Sequence, residues 1–589
     1  MAVREKIREL VEKGLREANL PVVEFGVERP KDEDHGDWAS NVAMTVWGKL
    51  EDKKKKEFRS PRGLAEALVE KLLVVKFEFG EIEKIEVAGP GFINFYLNDK
   101  YFLTELGKVL QSGEEYGKGD WGRNKLAIVE YSSPNIAKPF TIGHLRSTII
   151  GDAIANLLEA GDWRVLRDNH VGDWGTQFGK LLCAIEKWGD VDEIEKSERP
   201  VKELVRLYVK FHKEAEKDSE LEDEGRKWFK KLEDGDKRAR ELWQKCVDWS
   251  WKEFEKIYSL LGVKFSQEFN QGKGLGESFF EDKMEAVLEE LEEKKLLQVG
   301  KEGAKLVFFP EEIGLPPLMV LKKDGTTLYA TRDLATDKYR LRYEPELVLN
   351  EVGAEQSLYF RQLFEVEYMM GWYKPGQRVH VGHGLYRFKE GKMSTRRGNV
   401  IWLEDVLEEA LGRAKKIVEE KNPDLENRDE VARVVGIGAL KWNDLKGEPR
   451  RDIVFDWDQV LAMEGNSGPY VQYTYARGRS VLRKLKIKNE GFKVIIQNSK
   501  FGSFDEAEKG VVRWLVRYPE VVEEAGRSFA PQKVAGFLYE LATRYNKFYN
   551  QCRVVGDERE EVRAAITAAV VQVLRNGLGL LGIEVVERM

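Results

Sequence analysis

Apolar and polar positions change period several times along the chain, and each change marks a boundary. The opening stretch MAVREKIRELVEKGLREANL repeats its apolar residues at helical spacing. Turn chemistry follows at RPKDEDHGDWASN, and a second helix is predicted near Arg62 to Leu73. IEKIEVAGPGFINFYLN then reads as strand, glycine-proline turn, strand, so residues 1–105 form a small α+β domain. From 125 to about 188 the period alternates. KLAIVEYS is a short apolar strand, and Leu145, Ile149, Ile150, Ile154, Leu157 and Leu158 trace a helix ending at Gly161. WRVLRDNHV is the next strand, and such alternation predicts a parallel sheet flanked by helices. Residues 190–262 are charged and helical with one apolar stripe, which reads as a solvated face. Strand and helix alternate again from 264 to 405. Beyond about 430 the pattern is helical, with long runs at Val511–Leu541 and Glu560–Leu581. The fold class is multidomain α/β with a C-terminal all-α bundle.

A chain of 589 residues is too long for one hydrophobic core, and three or four domains are expected. The net charge of −7 argues against a surface that is basic throughout, while 96 Lys and Arg leave room for local basic patches. Cys183, Cys246 and Cys552 lie too far apart for a disulfide framework or zinc spacing, which points to a reducing compartment. No apolar run is long enough to span a bilayer, and the acidic amphipathic start is unlike a signal peptide. A soluble, cytoplasmic protein is expected. DKKKKEF, residues 52–58, reads as an exposed turn, with contact to a polyanion as the alternative.

SSPNIAKPFTIGHLRST, residues 132–148, hands a strand over to a helix. That places backbone N–H groups and a positive dipole end at the carboxyl edge of the sheet, where anions bind. Gly143 has no side chain to keep a flat base away, and His144 can reach phosphate oxygens; the plainer reading is a histidine capping its own helix. FKEGKMSTRRGNV, residues 388–400, is a basic, hydroxyl-rich loop able to close over a polyphosphate, or an ordinary basic surface loop. His380 and His383 in HVGH have metal-like spacing but no cysteine or carboxylate beside them, so a structural zinc is rejected. GKGLG, residues 272–276, reads as a plain loop. GPYVQYTYARGRSVLRKLK interleaves Tyr470, Tyr473 and Tyr475 with Arg477, Arg479, Arg483 and Lys484. This suits base stacking and phosphate contact, or a helical core.

Taken together, Thr141-Ile142-Gly143-His144 and Lys392-Met393-Ser394-Thr395-Arg396 resemble the HIGH and KMSKS signatures of class I aminoacyl-tRNA synthetases. RDNHVGDWGTQFGKL, KMSTRRGNVI, GPYVQYTYAR and the ending LGIEVVERM narrow the resemblance to the arginyl-tRNA synthetase family. Thr141 stands where members often carry histidine, and Arg396 stands for the final lysine. The resemblance implies a Rossmann-like parallel-sheet catalytic domain at 106–460, carrying the charged insertion. It also implies an N-terminal tRNA-elbow domain at 1–105 and a C-terminal anticodon-binding bundle at 461–589. Gly143, His144 and Lys392 would be catalytic. Lys138, Thr141, His383, Gly384, Met393, Ser394 and Arg396 would join them in binding ATP. Glu130, Ser133, Asn135, Tyr329, Asp333 and Gln356 would line the arginine pocket, with Tyr329 and Asp333 on one helix face. For Asp333 the plainer reading is a surface ion pair with Arg332 or Lys338. Phe92, Asn94, Tyr470, Tyr473 and Arg477 would meet tRNA. The implied reaction joins L-arginine to tRNA-Arg through an adenylate, with ATP as substrate, Mg²⁺ riding on it, no protein-held metal, and a monomeric enzyme. Alternatives are another nucleotidyltransferase of the same fold and an inactive tRNA-binding paralogue.

Overall fold

The computed structural model describes residues 3–75, 80–300, 302–323, 327–388, 401–485 and 503–589. They gather into two compact units. One comprises 1–114, 481–517 and 544–572; the other comprises 115–480, 518–543 and 573–589.

In the first unit, β1 (Val27–Glu28), β2 (Trp38–Ser40), β3 (Ile82–Ala88) and β4 (Phe92–Leu97) form an antiparallel sheet in the order β1-β2-β4-β3. Gly91, at φ +133°, turns β3 into β4. The helices Val3–Glu17 and Pro61–Val75 pack together, and Gly14 lets them close because a Cβ there would meet Leu72 at 2.6 Å. DKKKKEF is not a turn: Asp52–Phe58 is a short helix, with Asp52 complementing the dipole at its start and lysines that favour helix. Lys509 and Arg513, one turn apart on the helix Glu506–Leu515, pair with Asp99 at 2.9 Å and Asp37 at 3.1 Å. Glu508 on the same helix is fully buried and takes Arg559 and Arg563, so part of the charge here holds the unit together.

The run expected from Val511 to Leu541 is three helices, Glu506–Leu515, Tyr518–Arg527 and Gln532–Gln551. Pro519 and Pro531 lack the N–H that a continuous helix needs. Glu560–Leu580 is a single helix, as expected.

The second unit is built on a parallel sheet. β5 (Leu126–Glu130) and β6 (Arg164–Asp168) come first in the chain. A small antiparallel sheet of β7 (Leu297–Val299), β8 (Lys305–Val307) and β9 (Leu318–Leu321) intervenes, and then come β10 (Leu347–Gly353) and β11 (Arg378–His383). The parallel order is β11-β10-β5-β6. Ile128, Leu166, Leu334, Val348, Leu363 and Val366 share one buried cluster between this sheet and its helices, each worth about 1.5–3 kcal/mol of burial. The helix Ile142–Ala160 follows β5 and is buried nearly all round, which explains why its apolar stripe is broad. The charged interval holds the helices Pro200–Ala215, Glu220–Glu233 and Lys237–Leu261. Near the chain end, the buried Lys441 donates to the carbonyls of Leu261 and Gly582, each at 2.6 Å.

Candidate active site

Strand register sets a polar row across the buried sheet. Asp168 on β6 lies beside Glu130 on β5, Glu130 beside Asn350 on β10, and Asn350 beside His380 on β11. Polar groups in the middle of a sheet buried on both faces need partners. Arg340, at the end of the helix Tyr329–Arg340, supplies several of them. It pairs with Glu130, with Asp168 at 2.6 Å and with Asp337 at 2.9 Å, while Arg378 holds the far side of Asp337 at 2.7 Å. The Oδ1 atom of Asn350 is buried without a hydrogen-bond partner among the described residues.

The 131–141 connection at the end of β5 is strained: Ser132, Ser133 and Ala137 take φ of +73°, +43° and +56°. Left-handed non-glycine residues in such numbers gather where geometry serves a site. Ser133 donates its N–H to Asn169 at 3.0 Å, and its hydroxyl is buried without a partner. Asn135 bridges to Gly172, where any Cβ would lie 2.5 Å from the Asn135 side-chain oxygen. Lys138 is exposed.

At the helix start, the Thr141 N–H donates to Nδ1 of His144 at 2.9 Å. The plainer reading of His144, a cap on its own helix, is therefore correct for one ring nitrogen. Nδ1 is an acceptor, so the neutral ring carries its proton on Nε2. Burial, with His383 adding, pushes the His144 pKa down to about 4. The ring is neutral at physiological pH. Gly143 is exposed, and a Cβ there would meet only Thr141 Oγ1, at 3.4 Å. Among the described residues nothing demands glycine at that position.

Burial opposes the charging of His383, but Glu351, 2.9 Å from Nδ1, raises it through its charge and hydrogen bond together. Gly384 has a packing reason to be glycine, because a Cβ would lie 2.6 Å from the Arg451 backbone. The fully buried Arg146, two residues beyond His144, donates to the carbonyls of Gly384 at 2.7 Å, Arg451 at 2.9 Å and Pro449 at 3.0 Å, and pairs with Asp444. His380 stacks on Phe360 and lies 3.1 Å from the Val352 carbonyl.

Asp333 is not a surface ion-pair partner. Arg332 turns to Glu281 and Glu277, and Lys338 to Glu290. The Asp333 carboxylate accepts instead from the Tyr359 hydroxyl and lies 4.0 Å from Nε2 of His170. Burial pushes Asp333 up to about 6, against the opposing pull of His170 and the Tyr359 bond. Glu130 goes the other way: burial opposes its ionisation, but Arg340 and His170 outweigh that and hold it below the ordinary value. Tyr329 begins the same helix one turn before Asp333 and is exposed, as is Gln356 after β10. GKGLG is more than a plain loop. Gly274 packs with no room for a Cβ against the Asn169 carbonyl, 1.9 Å away, and Gly276 likewise against Asp173 at 2.3 Å.

This combination of a parallel sheet, a neutral N-terminal histidine and an acidic pocket agrees with comparison to known proteins. Residues 105–457 match the family model for tRNA synthetases class I (R), catalytic domain. Residues 2–97 match the arginyl tRNA synthetase N terminal domain, and 471–589 the DALR anticodon binding domain. The chain belongs to the arginyl-tRNA synthetase family. It is 45% identical over 527 residues to the arginine–tRNA ligase of Clostridium kluyveri, covering 89% of this chain and 91% of that one. It is 40% identical to that of Halothermothrix orenii, over 100% of this chain and 99% of the relative. The Thermus thermophilus arginyl-tRNA synthetase structure aligns over 100% of both chains with a TM-score of 0.78 and 25% identity.

Lys392, Met393, Ser394 and Arg396, the second signature of an arginyl-tRNA synthetase, lie outside the described residues. In the N-terminal domain, Phe92 and Asn94 line a cavity of about 530 Å³ with Arg29, Lys31 and Asn41; Phe92 is 41% exposed and Asn94 is buried. On the helix Gly468–Leu485, Tyr473 is 36% exposed with Arg477 over its ring at 4.9 Å, and Tyr470 lies 5.9 Å from Tyr539. Tyr475 is core, so the tyrosine interleaving spans two faces of that helix. Arg340, Tyr359 and Arg146 carry no signal in the sequence that would single them out. Asp168 and His170 leave only a faint trace there, as polar residues two apart at the end of a strand.

Proposed function

We infer that the carboxyl end of the parallel sheet is where this arginine–tRNA ligase performs its chemistry. L-Arginine, ATP and tRNA-Arg are its substrates. The substrate carboxylate oxygen bonds to the α-phosphorus of ATP as the bond to the bridging oxygen breaks, and pyrophosphate leaves. A ribose hydroxyl at the tRNA 3′ end then attacks the arginyl carbonyl and AMP departs. The protein's part is positioning and charge stabilisation. In this reading the guanidinium enters between Asp333 and Glu130, with Ser133, Asn135, Tyr329 and Gln356 around the substrate. Paired carboxylates match its planar fork of donors. ATP lies against Gly143, where no side chain intrudes, and His144 offers Nε2–H to phosphate oxygen. Lys138, Thr141, His383 and Gly384 complete the described part of the ATP site, and Lys392, Met393, Ser394 and Arg396 are its further phosphate-binding candidates. Mg²⁺ rides on the nucleotide phosphates, which hard divalent cations favour.

Transfer RNA is held at two places. Phe92 stacks and Asn94 hydrogen-bonds beside the N-terminal cavity, while Tyr470, Tyr473 and Arg477 meet bases and phosphates from the C-terminal helices. The three cysteines are unpaired, which suits a cytoplasmic protein, and the enzyme acts as a monomer in this reading. Among the described residues no helix is long and apolar enough to cross a membrane.

The observation that carries this reading is the Thr141–His144 bond, which leaves a proton-bearing nitrogen at the mouth of the site. Aminoacylation of total tRNA with each amino acid in turn tests it. Arginine alone should be incorporated, and Lys392→Ala should lower the rate by about two orders of magnitude. Charging with another amino acid, or a wild-type rate in the variant, would refute the respective part.

A further inference from the structure

His170 follows β6 in a loop clamped from outside. Ser278 donates its N–H and hydroxyl to Asp173 at 2.8 and 2.6 Å, and Glu277 donates its N–H to the Val171 carbonyl at 3.0 Å. With Gly274 and Gly276 pressed against Asn169 and Asp173, the imidazole has little freedom to turn away. Its ring faces Phe280, and both nitrogens are sealed from solvent with no hydrogen-bond partner among the described residues. An imidazole carries at least one N–H in every protonation state, so at least one donor is buried unmatched, at a cost of about 1–3 kcal/mol. Such a group needs a reason to be there.

The charges facing it supply one. Glu130 comes from β5, Asp168 from β6, Asp173 from its own loop, Glu277 from the 277–283 turn, and Asp333 and Arg340 from the helix Tyr329–Arg340. Five carboxylates thus surround His170. Arg340 offsets some of that charge, and Arg332, 3.8 Å from Glu277, offsets a little more. We propose that His170 is a substrate-displaced cation of the arginine pocket. With the pocket empty the imidazolium balances the acidic cluster beside Asp333; as the guanidinium enters, one ring N–H bond breaks and the proton passes to solvent. This rests on the placement of the guanidinium at Asp333 given above.

The direction of the histidine's titration agrees. Burial alone would lower its pKa, but Glu130, Asp333 and Glu277 raise it above the ordinary value in the empty pocket. A bound guanidinium beside it must lower it. Between the two values, arginine binding releases a proton, and affinity falls as pH drops, by up to tenfold per pH unit. Below about 6 Asp333 takes up a proton as well, so the histidine's effect is cleanest just above that.

The test is calorimetric titration of arginine into the full chain near pH 6.5, in two buffers of different ionisation enthalpy. Wild type should release clearly more protons per arginine bound than His170→Asn, whose remaining release comes from Asp333. Equal release from both proteins overturns the proposal. Histidine ¹³Cε1 NMR on wild type decides independently of how well the variant folds. One of the six histidine signals should move from imidazolium to imidazole as arginine is added, and six unmoved signals refute the idea. Asp333→Asn separates this from the pocket itself. If that variant binds arginine normally, the guanidinium is elsewhere; if it binds weakly while His170→Asn still releases as many protons as wild type, only the proton exchange is wrong.

Discussion

Thr141 and His144 are joined by a backbone-to-ring hydrogen bond of 2.9 Å, and that bond fixes which imidazole nitrogen can act on a ligand. Because Nδ1 is occupied as an acceptor, Nε2 is the donor. Glutamine can place an N–H close to Nε2, whereas alanine cannot. His144→Ala is expected to lower kcat by about 10²–10³-fold, the worth of one preorganised donor, and His144→Gln to stay within about tenfold of wild type. Steady-state aminoacylation with both variants checks this. Equal losses would mean that the ring matters as packing.

Gly143→Ala distinguishes a glycine kept for the ligand from one kept for the fold. The added methyl meets only Thr141 Oγ1, at 3.4 Å, so thermal stability should be unchanged or slightly improved by the better helix former. The ATP KM should rise at least tenfold. A lowered melting temperature with a normal KM would return Gly143 to the fold.

Gly172→Ala should reach the arginine pocket from behind. Its methyl would lie 2.5 Å from the Asn135 side-chain oxygen and would push that amide away. Overpacking of this kind costs about 1–3 kcal/mol. The arginine KM is expected to rise several-fold while the ATP KM holds. Kinetics that move the two constants together would contradict a specific role for Asn135.

Tyr473→Ala tests the anticodon-side surface. The ring is partly exposed with Arg477 above it, and losing one stacked base would cost about 1–3 kcal/mol of tRNA affinity. Filter binding with tRNA-Arg measures it. Unchanged affinity would make the tyrosine and arginine a surface pair only.

Much of this architecture is legible in the amino-acid sequence. The apolar alternation at 126–130 and 164–168, and the helix between them, follow directly from period and glycine position. The three-helix break after Val511 is less visible, because the apolar spacing runs on across Pro519 and Pro531. The site divides in the same way. Gly143 and His144 stand out at a strand-to-helix handover, whereas Tyr329 and Asp333 are reached only through the family resemblance. Arg340 does not, because its partners Glu130 and Asp168 lie 210 and 172 residues away in sequence and meet it only through strand register. His170 is hidden for a different reason: what marks it is the absence of a hydrogen-bond partner, which no local pattern encodes.

The central claim is that Asp333 reads the guanidinium while a separate arm, built on Gly143 and His144, holds ATP. Asp333→Asn keeps the side chain's shape, removes its charge and can turn a donor toward the substrate's donors. Leaving that cation unpaired should cost about 2–5 kcal/mol in kcat/KM for arginine. The decisive measurement is the pair of KM values for arginine and ATP in this variant, with its tRNA charging rate. A rise of about 30-fold or more in the arginine KM with an unmoved ATP KM is the predicted result. An intact arginine KM, or equal weakening of both substrates, would contradict it and leave Asp333 a structural partner of Tyr359.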